Sequence, residues 1–123
     1  MTNVISEAEA EALPLDLETM REAAARLLAG QAEELSDEDL ETMRIQLRGH
    51  AELLIPAVDR AATHRPDGHS ARRSALACVA TAHMNLRLGR GDSHLVRVSV
   101  AQKLAHSVRT LCCHLERLGG VGR

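Results

Sequence analysis

The sequence predicts an all-α fold, an antiparallel four-helix bundle with a short N-terminal extension. Three observations predict it. Four segments carry apolar residues at helical spacing, short connectors containing Gly or Pro separate them, and no segment alternates apolar and polar residues as a half-buried strand would. Links this short favour antiparallel neighbours.

Residues 1–13 hold Ser6 and Glu9 at capping-box spacing, so a short frayed helix is expected there, ahead of Pro14. The first firm helix is expected over 16–29, with Asp16 as its cap and Gly30 as its stop. Its stripe is Leu17, Met20, Ala24, Leu27 and Leu28, within about 100° on a wheel advancing about 100° per residue. The second helix begins after Ser36, where Asp37, Glu38 and Asp39 complement the positive helix end. It runs to about Thr63 with a kink expected at Pro56.

This second helix has two apolar stripes. The main one is Leu40, Met43, Leu47, Ala51 and Leu54; roughly opposite lie Ile45, Gly49, Leu53 and Pro56. Gly49 costs a helix on the order of 1 kcal/mol relative to Ala, and a glycine between two large apolar residues suits close backbone approach. Contact on both sides has three explanations: a central place in the bundle, cover by the N-terminal segment, or a dimer interface.

The connector Arg65-Pro66-Asp67-Gly68 leads to a third helix over about 71–88, ended by Gly89. Leu76, Val79, Ala80, His83 and Leu86 form one face, and Ala71, Ala75, Cys78 and Ala82 a neighbouring face of small residues. This helix is expected to be largely buried. After the turn Gly89-Arg90-Gly91-Asp92-Ser93, with Asp92 or Ser93 as cap, the fourth helix spans about 94–118 and buries Val100, Leu104, Val108, Leu111, Leu115 and Leu118. The bundle domain is thus 14–118, and 119–123 form a flexible tail.

Composition sets limits on function. The 123 residues include no Phe, Trp or Tyr, which removes base-stacking platforms, cation cages and aromatic interface anchors. Gly and Pro are few, and 45% hydrophobic against 26% charged residues is a globular balance. No apolar run approaches the ~18 residues that cross a membrane. The N-terminus lacks the basic and apolar regions of a secretory signal, and three cysteines make no disulfide framework, so a reduced cytoplasmic setting is expected.

Net charge is −2, yet residues 1–59 carry 14 acidic side chains against 4 Arg, and residues 60–123 carry 11 basic against 3 acidic. Acidic early helices packed beside basic later ones account for most of this division. The outer face of the fourth helix, with Lys103, His106, Arg109 and Arg117, is the candidate anion-facing surface. Nucleic acid is disfavoured as a partner, because no recognition helix follows a tight turn and the acidic half repels a duplex.

The segment Leu47-Arg48-Gly49-His50-Ala51-Glu52-Leu53-Leu54-Ile55-Pro56, with Ala75-Leu76-Ala77-Cys78-Val79 and the later Leu111-Cys112-Cys113-His114, resembles a family of small, poorly characterised actinobacterial proteins. Members are commonly labelled as associated with natural-product biosynthesis. The resemblance spans roughly 17–118 and implies a cytosolic helical protein in a metabolic setting, with no defined reaction or site residues.

The candidate binding residues are His50, His83, Arg48 and Glu52. His83 is the polar member of an apolar stripe, and His50 borders the main stripe of the second helix; together they are expected to approach across the interior. Arg48 and Glu52 stand at the spacing of an ordinary surface pair. Adjacent Cys112, Cys113 and His114 diverge by about 100° each, so no metal site is expected, and no cofactor motif occurs. With no catalytic constellation, the expected function is a non-enzymatic helical interaction or regulatory module, as a homodimer through Ile45, Gly49 and Leu53 or with a protein partner. The alternative is a small-ligand binder or tailoring enzyme using His50 and His83.

Overall fold

The computed structural model describes residues 15–66 and 68–119, and these form four α-helices without a strand. The expected helix within 1–13 and most of the tail lie outside the described residues. Helix α1 is Leu17–Leu28, α2 is Asp37–Thr63, α3 is Ser70–Leu86 and α4 is His94–Arg117. A short 3-10 turn, Ala32–Glu34, links α1 to α2 and was not anticipated from the pattern.

The helix starts follow local chemistry. Asp16, Ser36 and Ser93 each accept a bond from the backbone N–H three residues on, at 3.1, 3.0 and 3.3 Å. Each thereby satisfies one donor that the first helical turn leaves open. Helix α3 starts differently, with the His69 ring accepting from the Ala71 N–H at 3.2 Å. Pro56 lies inside α2 on its exposed side. Glu52, the residue whose carbonyl a proline at 56 leaves without its helical N–H partner, is also exposed.

Side-chain bonds fix the direction of the helices. Along α1 and α4, Arg21 meets Glu116 while Gln102 donates to the Leu27 carbonyl, so the two run antiparallel. Along α3 and α4, Cys78 pairs with Thr110 and Asn85 with Ser107, again in opposite order. Asp37 touches His94 and Arg97 at one end, and Arg65 reaches the Leu118 carbonyl at the other, so α2 and α4 run parallel. The chain therefore passes up, down, up and down through the bundle, and α4 packs on each of the other three helices.

The core is built without rings. Leu27, Leu40, Leu47, Leu54, Leu111, Leu115, Val58 and Val108 are its largest fully buried side chains. Helix α3 contributes Ala75, Val79 and Ala82, with Cys78 half-buried beside them. The small-residue face of α3 therefore packs inward. The neighbouring face of Leu76, Val79, Ala80, His83 and Leu86 is split: Val79 is buried, Leu76 and Leu86 are half-buried against the core, and Ala80 and His83 are exposed. Only Ala75, Val79 and Ala82 of α3 are fully buried, so the inward strip of this helix is narrow and its His83 side lies at the edge. The expectation of a largely buried third helix is corrected accordingly.

Candidate functional site

The second apolar stripe of α2 is open to solvent. Ile45 is 58% and Leu53 is 56% exposed, and Gly49 and Pro56 between and beyond them are exposed too. A Cβ placed on Gly49 would meet nothing within 4 Å. Helix α2 is therefore not sandwiched within its own bundle, and that explanation of the doubled face is withdrawn. Whether the N-terminal segment covers the stripe falls outside the described residues.

Around this stripe the structure separates the candidate binding residues. Arg48 is half-buried and donates from Nη1 to the Leu86 carbonyl at 2.8 Å, closing the C-terminal end of α3. Glu52 is exposed and forms no ion pair with Arg48 among the described residues. The surface pair expected at that spacing is thus replaced by a helix-to-helix tie. His50 is half-buried, its Nε2 is enclosed without a hydrogen-bond partner, and burial holds its pKa below the ordinary imidazole value. His83 is on the surface, so the expected meeting of His50 and His83 across the interior does not form.

The outer face of α4 matches its expected exposure. Lys103, His106, Arg109 and Arg117 are all exposed, and Arg109 donates to His106 Nδ1 at 3.2 Å. Cys113 is exposed, whereas Cys112 is fully buried and its thiol is pushed up to about 11 by burial, which leaves it unreactive. His114 has Nδ1 enclosed without a partner, and burial together with Arg117 lowers its pKa. No group of three or more His, Cys, Asp or Glu among the described residues is placed to hold a metal ion.

One cluster escaped sequence reasoning. At the start of α4, His94 places Nδ1 2.7 Å from Asp37 Oδ1 and Nε2 2.8 Å from the Glu33 carbonyl. Both partners only accept, so both ring nitrogens donate and the ring is held as the imidazolium. Asp37 raises the His94 pKa, and His94 lowers that of Asp37. Arg97 adds a 2.6 Å bond to Asp37 Oδ2 and a 3.0 Å bond to the Gly91 carbonyl. Beside it, Glu41 binds Arg44 at 2.7 Å and faces Arg90 at 3.7 Å. With both ring nitrogens engaged, His94 is a cationic clamp and not a free general base.

Taken together, the described residues define a small helical bundle with an exposed apolar stripe on α2 and a charged clamp at one end. The chain belongs to the family of unknown function DUF6415, whose model matches residues 18–120. No curated protein and no solved structure matches it. No helix among the described residues is long and apolar enough to cross a membrane.

Proposed function

We propose that the protein is a non-enzymatic helical interaction or regulatory module that pairs with a second copy of itself through Ile45, Gly49 and Leu53. One observation carries this reading: among the described residues Gly49 sits mid-helix with nothing within 4 Å of where a Cβ would stand, flanked one turn away on each side by a large exposed apolar residue. Within one chain this glycine only weakens the helix, by about 1 kcal/mol against Ala. In a two-fold pair it acquires a purpose. Two α2 helices crossing antiparallel at Gly49 bring Ile45 of one copy against Leu53 of the other, an isologous arrangement in which notch meets notch. The stripe is short for a permanent interface, so the pairing is reversible.

Light scattering with refractive-index detection tests this directly, since a chain without Trp or Tyr absorbs little at 280 nm. A dimer is expected at high micromolar concentration, and Gly49→Leu or Leu53→Glu should return it to monomer with the helical content unchanged. A wild-type monomer at that concentration would remove the reading. The resemblance to actinobacterial proteins labelled with natural-product biosynthesis supplies the setting we propose, a cytoplasmic partner of such a pathway. The ligand-binding or tailoring-enzyme alternative retains only His50, because its second ring is at the surface.

A further inference from the structure

One ring joins three parts of the chain at the start of α4. His94 Nε2 lies 2.8 Å from the carbonyl of Glu33, in the 3-10 turn between α1 and α2. Its Nδ1 lies 2.7 Å from Oδ1 of Asp37, the first residue of α2. Neither partner atom can donate, so the two bonds need both protons of the imidazolium. We propose that His94 is a proton-operated latch on the α1–α2 linker: the charged ring pins Glu33 to α4, and the neutral ring releases Glu33 while keeping Asp37.

A neutral imidazole has one N–H and one lone pair, so one of the two contacts must fail when the proton leaves. The carboxylate keeps the N–H, because a bond to an ionised acceptor is roughly twice as strong as one to a neutral carbonyl. A lone pair is then left facing the Glu33 carbonyl, and the two repel. Asp37 is also held from elsewhere: Arg97 Nη1 donates to its Oδ2 at 2.6 Å, and Arg97 Nε donates to the Gly91 carbonyl at 3.0 Å. Helix α2 therefore stays tied to α4, and the linker is the part set free. The turn keeps Ala32 and Leu35 against the core, and the Leu35 N–H on the Ala32 carbonyl at 3.1 Å.

The surrounding charges set the direction of the switch. The ring faces Asp37 from α2 and Arg97 from its own helix, and the linker presents the Glu33 carbonyl. Next to them, Glu41 is bonded to Arg44 at 2.7 Å and faces Arg90 at 3.7 Å, so those cations offset its charge. Arg97 and the partial positive charge of the α4 N-terminus both oppose the imidazolium. The bonds to Asp37 and Glu33 outweigh them and hold the ring's pKa above the ordinary 6.5. The latch is thus closed below about 6.5 and opens as pH rises through the raised midpoint. It uses none of Ile45, Gly49 or Leu53, so it does not depend on the proposed dimer.

Nitrogen NMR of the full chain, run from below to well above the His94 midpoint, reads the ring and the linker together. Above the midpoint the ring should be the Nδ1–H tautomer. Protection of the Leu35 amide against exchange, corrected for the intrinsic effect of pH, should fall about fivefold with the same midpoint, the worth of one hydrogen bond. The Arg97 amide, bonded to the Ser93 carbonyl at 2.9 Å within α4, should keep its protection. His94→Ala should show the lower Leu35 protection at every pH. An Nε2–H tautomer above the midpoint overturns the proposal, as does Leu35 protection that fails to follow the ring. So would a fall shared by Arg97, or a pH response of Leu35 that survives in His94→Ala.

Discussion

His94 and His50 respond to acid in opposite senses, because one gains partners on folding and the other loses water. The His94 pKa is raised by Asp37 and by the Glu33 carbonyl, above an ordinary value of 6.5. Its contribution to stability is therefore fully present below about 6.5 and fades as pH rises through the raised folded value. Asp37, lowered by His94 and Arg97, contributes above the ordinary carboxylate value and loses that contribution as pH falls through its lowered one. His50 is lowered by burial, so its neutral form favours the fold and that advantage is lost as pH falls below 6.5. An NMR titration should place the His94 midpoint above 6.5 and the His50 midpoint below it. Asp37→Asn should bring His94 back toward 6.5 while leaving His50 in place. If His94 titrates as a free imidazole in the wild type, the clamp is not formed in solution. The clamp was not legible beforehand: Asp37 and His94 are 57 residues apart, and only the parallel packing of α2 on α4 brings them together, whereas the place of His50 beside the buried stripe was.

At the scale of the element, two glycines make opposite predictions. Gly49 has an ordinary helical backbone and open space where a Cβ would go, so Gly49→Ala should stabilise the isolated chain by about 0.5–1 kcal/mol. Gly91 has φ +102°, and a Cβ there would lie 2.9 Å from Val96 Cγ1 and 3.0 Å from the Arg97 backbone nitrogen. Gly91→Ala should therefore destabilise, by more than about 1 kcal/mol, in the turn that leads into α4 and the clamp. Urea melts followed by far-UV circular dichroism, run at low micromolar concentration, separate the two. A destabilising Gly49→Ala at that dilution would show that something already packs on the α2 stripe within one chain. Most helix starts were readable from the sequence because caps are local: Asp16 and Ser36 cap as expected, and Ser93 is the one of the Asp92 and Ser93 pair that does, whereas the His69 cap of α3 was not foreseen. The burial of Ile55, Val58 and Ala62 was not anticipated, because the main stripe was followed only to Leu54, although Val58 and Ala62 continue it at four-residue spacing past Pro56. The extent of burial of α3 was not legible, because two apolar faces side by side suggested a largely buried helix, whereas only Ala75, Val79 and Ala82 are fully buried.

For the whole molecule, the position of α4 decides how the fold fails. It packs on α1, α2 and α3, and its Leu111 is completely buried. Leu111→Ala should cost about 3–4 kcal/mol, from lost transfer energy and the cavity left behind. Against a total of about 5–15 kcal/mol for a domain, that is a large fraction. Because α4 is the shared partner, the loss should not stay in one helix. Amide exchange should accelerate in α1, α2 and α3 by similar factors, the behaviour of a single cooperative unit. Leu28→Ala offers a contrast, since Leu28 is only half-buried at the end of α1 and should loosen that end alone. If Leu111→Ala speeds exchange only within α4, the bundle is a set of separable hairpins and the central role assigned to α4 is wrong. A chain with no large rings makes this cooperative outcome the expected one: no single bulky side chain anchors a local cluster, and stability is spread over many Leu, Val and Ala contacts that all converge on one helix.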